Sequence, residues 1–154
     1  MPTSSASSIP RPYNREQVDE PPAARGEGPR AWHPVAVWLH GAFSELRWEV
    51  HDSVVEGDLV AVHVTMSGVH TGDFVTYDAD AEVDAVFPPT RKRFGVTQTL
   101  WLRIADGQII EHWANRDDLG MAMQLGWAPP TPVYLLRMAL AKRRAQRAHA
   151  GGGS

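Results

Sequence analysis

The dipeptide Asp106-Gly107 constrains this chain most. It separates two strand-like runs, residues 94–104 and 108–115, and this turn sequence between such runs is a strong hairpin signal. Glu56-Gly57-Asp58 plays the same part between residues 47–55, which partly alternate, and residues 59–70, which are rich in Val and Thr. Two hairpins predict a four-stranded antiparallel meander before any helix is considered. Ahead of them, Val35, Trp38, Leu39, Ala42 and Phe43 recur at spacings of three and four, broken once by a single step, which predicts a helix over residues 31–45 with one buried face. Between the hairpins, residues 73–93 form a long connection, acidic in its first half and ending in Pro88-Pro89-Thr90 and a basic run. A loop of that size often lies over a binding site.

The 154 residues, 43% of them hydrophobic, suffice for one core and not comfortably two. A formal charge of -3 supplies no global attraction to nucleic acid or anionic membranes. The absence of cysteine removes disulfides, thiolate metal sites and cysteine nucleophiles together. The first ten residues lack a charged n-region and an apolar h-region, and no later apolar run approaches the ~20 residues needed to span a bilayer, so the default expectation is cytoplasmic. Residues 1–30, rich in Pro, Ser and charge, read as a flexible segment outside a main domain of residues 31–130. Residues 131–150 predict a C-terminal helix whose apolar part, Leu135, Leu136, Met138 and Leu140, gives way to Lys142, Arg143, Arg144 and Arg147. Cations suit a helix C-terminus; contact of such a helix with a membrane or a partner is the less common use. Residues 151–154, Gly-Gly-Gly-Ser, read as a flexible tail.

Residues 109–126 read as a strand that delivers a carboxylate to the start of a short helix over residues 119–125, with Gly126 as its terminator. Alternation puts Trp113, Asn115 and Asp117 on one strand face and His112, Ala114 and Arg116 on the other. The first set joins an aromatic, an amide and an acid, which makes it the candidate pocket face. There Asp117 would serve as acid or base and Trp113 as an apolar wall for a ring-shaped ligand, with Asn115 and Gln98 as hydrogen-bonding groups. Asp117 is equally well placed to cap the helix, as is Asp118. His70, in Ser67-Gly68-Val69-His70-Thr71-Gly72, follows a glycine that could form a bulge and re-aim the side chain toward a carbonyl or a carboxylate. The competing reading is a partly exposed strand-end histidine. His112 falls to packing or to a dimer surface. The seven histidines show no converging metal-ligand pattern, so no metal or other cofactor is expected.

Residues 38–126 also resemble the SnoaL-like polyketide cyclase (ester cyclase) family. The likeness runs through Ala42-Phe43-Ser44-Glu45-Leu46-Arg47-Trp48, Glu56-Gly57-Asp58, Ser67-Gly68-Val69-His70-Thr71-Gly72, Pro88-Pro89-Thr90, and the block from Glu111-His112-Trp113 to Gln124-Leu125-Gly126. It implies an α+β fold of the nuclear transport factor 2 type, a cone-like curved antiparallel sheet with packed helices around a pocket. It further implies that an aspartate in the last block is the acid/base of an intramolecular aldol cyclisation, and by position after the tryptophan that residue is Asp117. The family pattern has glycine after the threonine of Pro-Pro-Thr, where this chain has Arg91, which argues against a tight turn there. Full-length relatives open with a helix or two that close the wide end of the cone, whereas no amphipathic helix precedes Ala31. Either the first thirty residues replace that closure, or the cone is incomplete and needs a partner.

The expected function is a cofactor-independent cyclase or isomerase-type enzyme acting on a small apolar or aromatic carbonyl ligand. A hydrolase in which Asp117 activates water would use the same residues. The alternative is a non-catalytic ligand-binding or dimerisation module, and a homodimer through the outer face of the sheet fits either reading.

Overall fold

The computed structural model describes residues 19–25 and 32–151, so expectations for residues 1–18, 26–31 and 152–154 lie outside the described residues. After a 3-10 turn at Pro22–Ala24 come α1 (Trp32–Ala42), β1 (Phe43–Glu56), β2 (Leu59–His70), β3 (Phe74–Tyr77), β4 (Val83–Phe87), β5 (Arg93–Ala105), β6 (Gln108–Arg116), α2 (Asp118–Leu125) and α3 (Pro132–Gly151). The four long strands lie in the order β1-β2-β5-β6, every neighbour antiparallel, giving the expected α+β architecture. Gly57 and Gly107 make the two hairpin turns with φ of 61° and 74°, a region that glycine enters without steric cost.

The long connection is not a bare loop, because β3 and β4 pair as a second, two-stranded sheet. Runs of four and five residues are too short for alternation to show above noise, which is why the sequence reading missed them. The Asp78 carboxylate ties the turn between them, its Oδ1 accepting the Asp80 and Glu82 N–H groups at 3.0 and 2.9 Å.

Curvature comes from bulges. The β2–β5 pairing runs without a register shift, whereas β1 shifts against β2 between Ser44 and Arg47 and again between Val50 and Asp52, and β6 shifts against β5 at Arg103/Ile104. Each extra residue bends its strand and coils the sheet. The first bulge, with Glu45 at φ 53°, lies opposite Gly68, where an added Cβ would meet Leu46, Phe94 and the Ser44 carbonyl oxygen at 3.2 Å. The bulge expected at Gly68 thus forms in the facing strand, and Gly68 makes room for it. Arg91 takes a left-handed φ of 63° and donates its N–H to the His70 carbonyl at 3.0 Å, so a non-glycine residue holds the conformation that glycine enters at less cost.

One face of the curved sheet builds the core from Phe43, Met66, Phe94 and Val96, together with Leu125 of α2 and Trp127 beyond it. Helix α3 lies on β4 through Ala141, while the Tyr134 hydroxyl donates to the Pro88 carbonyl at 3.0 Å and Arg137 to that of Pro89 at 3.1 Å. Its basic residues Arg143, Arg144 and Arg147 remain exposed. Among the described residues, no helix is long and apolar enough to cross a membrane.

Candidate active site

A cavity of about 580 Å³ opens between the concave sheet face, α1, α2 and the segment at residues 19–20. That volume suits a drug-sized or polycyclic ligand. Most of its wall is apolar. Trp38 stacks on Phe74 (ring centroids 4.7 Å), Phe74 on Trp127 (5.4 Å), and Phe87 lies 4.5 Å from Trp127. The Trp38 indole N–H donates to the Val75 carbonyl at 2.8 Å, which fixes one wall to β3.

Two buried polar side chains interrupt the sheet side of this wall, and Glu20 is a third, from the segment before α1. Gln98 lies on β5 in the inward series Phe94, Val96, Gln98, and His112 lies on β6. Their neighbours Leu100 and Ala114 pair across the two strands and both line the cavity, so the floor between Gln98 and His112 is apolar. Burial lowers the pKa of His112 from 6.5 to about 4, and the nearby Arg116 charge adds to the effect. The imidazole is therefore neutral at neutral pH, able to hydrogen-bond a carbonyl oxygen without carrying charge into the cavity. Trp32 meets His112 edge-on at 5.3 Å. Arg116 and Asp118, 3.4 Å apart, line the cavity from more exposed positions.

The model of the SnoaL-like polyketide cyclases matches residues 8–125. This chain belongs to the SnoaL-like polyketide cyclase family. The cyclase DnrD of Streptomyces peucetius, an aklanonic acid methyl ester cyclase, is 35% identical over 109 residues, covering 68% of this chain and 66% of its own. The nogalonic acid methyl ester cyclase of Streptomyces nogalater is 32% identical over 100 residues, covering 64% and 67%. The chain thus spans just under two thirds of the first relative. Among solved structures, TsrD of Streptomyces laurentii superposes with a TM-score of 0.56 at 26% identity, covering 77% of this chain and 76% of that one. AclR of Streptomyces galilaeus follows with 0.52 at 25%, covering 66% and 69%.

Within this SnoaL-like framework the residues singled out from sequence separate into three places. Gln98 is in the cavity. His70 is fully buried behind it, between Phe43 (5.5 Å) and Trp127 (5.1 Å), rather than partly exposed or among the lining residues. Its Nδ1 accepts the Thr90 N–H at 3.2 Å, and burial lowers its pKa to about 4. The tie holds the Pro88-Pro89-Thr90 segment to the end of β2. Trp113 and Asn115 face away from the cavity. Trp113 stacks on Trp101 at 5.9 Å, and the Trp101 indole N–H donates to Asn115 Oδ1 at 3.0 Å.

Asp117 is exposed at the N-cap of α2, where its Oδ1 accepts the Gly120 N–H at 2.8 Å, and it does not line the cavity. The face expected to carry the site is therefore the outer one, and the cause is a single bulge. A regular hairpin continuing from Ala105↔Gln108 and Ile104↔Ile109 would set Gln98 opposite Asn115. Ile110 is the extra residue, so the pairing resumes at Arg103↔Glu111 and sets Gln98 opposite Arg116. That step turns His112 and Ala114 inward.

Sequence reasoning also missed Glu20. It lines the cavity at 5% exposure from a segment dismissed as too polar to pack, and Ala24 beside it is buried. The matched family stretch takes in this segment. Among the described residues no group of three or more His, Asp or Glu side chains converges to hold a metal ion.

Proposed function

We propose that this SnoaL-like protein catalyses an intramolecular aldol cyclisation, or a closely related isomerisation, of a polycyclic ketone or ketoester bound in the cavity. The observation that carries the reading is an aromatic-walled cavity of about 580 Å³ into which two buried polar groups of the sheet, Gln98 and neutral His112, face from neighbouring strands. Stacking and apolar contact hold the rings, which fixes two reacting carbons of one molecule near each other. Hydrogen bonds from Gln98 and His112 to a carbonyl oxygen strengthen as it becomes an enolate, so they favour the transition state over the bound substrate. A buried neutral imidazole polarising a carbonyl serves this step without a metal.

The relatives named as methyl ester cyclases supply the substrate to try first, aklanonic acid methyl ester. The full chain should convert it to a product of unchanged mass with one ring more, followed by chromatography and mass spectrometry. Binding without conversion, across this substrate and nogalonic acid methyl ester, would instead establish the second reading, a non-catalytic ligand-binding module. The outward turn of Asp117 is what favours that alternative. A homodimer through the outer sheet face accompanies either reading, supported by the exposed Val54 on β1, which shares that face with Ala61 of β2 and the stacked Trp101 and Trp113.

A further inference from the structure

The aldol step needs a group that removes a proton from carbon, and with Asp117 turned outward the cavity wall must provide it. Three described carboxylates line the cavity: Asp19, Glu20 and Asp118. Asp19 is exposed, and the Asp118 side chain is 66% exposed beside Arg116, so water screens both. Glu20 is the buried one. The other buried carboxylate among the described residues, Glu111, lies 3.1 Å from the Arg103 guanidinium and does not line the cavity.

The chain also fixes Glu20 in place. Arg25 donates from Nε to the Glu20 carbonyl at 3.2 Å, from Nη1 to that of Ala79 at 3.2 Å and from Nη2 to that of Asp78 at 2.6 Å. One guanidinium therefore ties the Glu20 backbone to the β3–β4 turn, which the Asp78 carboxylate itself stiffens. The buried Ala24 anchors the same segment.

We infer that Glu20 is the acid/base carboxylate of the cavity and Arg25 the residue that positions it. The inference rests on the cyclase reading. The Glu20 carboxylate takes a proton from the carbon next to a carbonyl, and the C–H electron pair moves into that carbonyl to form the enolate. The enolate carbon then attacks a second carbonyl of the same molecule, forming the C–C bond. The resulting alkoxide recovers the proton from Glu20. Nothing is oxidised or reduced and no co-reactant enters.

The test uses the full chain with aklanonic acid methyl ester, measuring turnover, binding by tryptophan fluorescence, and uptake of solvent deuterium at the acidic carbon. Glu20→Gln should lower kcat and deuterium uptake together by about 10²-fold or more with KM changed less than about threefold. Asp117→Asn should match the wild type. Arg25→Ala should shift the pH profile of kcat, which loss of packing alone would not do. If circular dichroism shows Glu20→Gln unfolded, Glu20→Asp decides: slowed turnover with binding kept supports the assignment, and a wild-type rate overturns it. Full activity in folded Glu20→Gln overturns the inference alone. No turnover by the wild type, on substrate it binds, overturns the cyclase reading and the inference with it.

Discussion

The two faces of the β5–β6 hairpin share one backbone and differ in nearly everything else. Inward it presents Gln98, Leu100, His112 and Ala114 to the cavity; outward it presents Trp101, Trp113 and Asn115, tied to one another by stacking and an indole hydrogen bond. Either set has the aromatic, amide or titratable groups that a site would use. What separates them is enclosure. The concave face has α1, α2 and the residues around Glu20 over it, so its polar groups are desolvated and its histidine shifted, while the convex set meets solvent. Chemical promise in a list of side chains says little until the sheet's curvature decides which face is inside.

The largest expected effect that sharpens this comparison is acid sensitivity. His70 and His112 are held at about 4 by burial against an ordinary 6.5, so the unfolded chain takes up their protons first as the pH falls. Their contribution to stability is complete above about pH 6.5 and is lost progressively down to about pH 4, on the order of 3 kcal/mol for each residue. Denaturant melts across that range should show the fall, and the double variant His70→Gln/His112→Gln should flatten it whatever it does to stability at neutral pH. A midpoint that stays level from pH 6.5 to 4 would contradict the enclosed environment assigned to both rings.

Next in size is the contrast in activity between the faces. Gln98→Ala or His112→Gln should lower kcat/KM by about 10²-fold, the usual cost of removing one hydrogen bond to a developing oxyanion, whereas Asn115→Ala should change it less than about twofold. Equal losses from the two faces would break the comparison. Asp117→Ala should cost about 1 kcal/mol of stability as a lost N-cap, read from chemical melts, with kcat unchanged. Smallest of all, Arg91→Gly should stabilise by about 0.5 kcal/mol, since glycine occupies φ 63° without the clash of a Cβ and its greater unfolded-state freedom offsets part of that gain.

The sequence made the long strands, both hairpins and the first helix legible, because turn glycines and hydrophobic period are local signals. Alternation within β6 was legible too: Trp113, Asn115 and Asp117 do part from His112 and Ala114. Which set faces inward was not, because that depends on the bulge at Ile110, which no residue of the run announces. Helix α2 and its terminator Gly126, at φ 76°, were read at the right place, and the carboxylate that starts it proved to be a cap. Glu20 escaped for a different reason. Its burial depends on Arg25 reaching carbonyl groups more than fifty residues away, a contact that composition in a Pro-rich stretch cannot signal.

The assignment of the concave face can be tested most directly with the protein's own six tryptophans. Trp38 and Trp127 wall the cavity, while Trp101 and Trp113 stack on the opposite face. In a titration of the ¹⁵N-labelled chain with aklanonic acid methyl ester, followed through the indole N–H resonances, Trp38 and Trp127 should shift and saturate together while Trp101 and Trp113 stay in place. Shifts confined to Trp101 and Trp113 would put the ligand on the outer face and contradict the account.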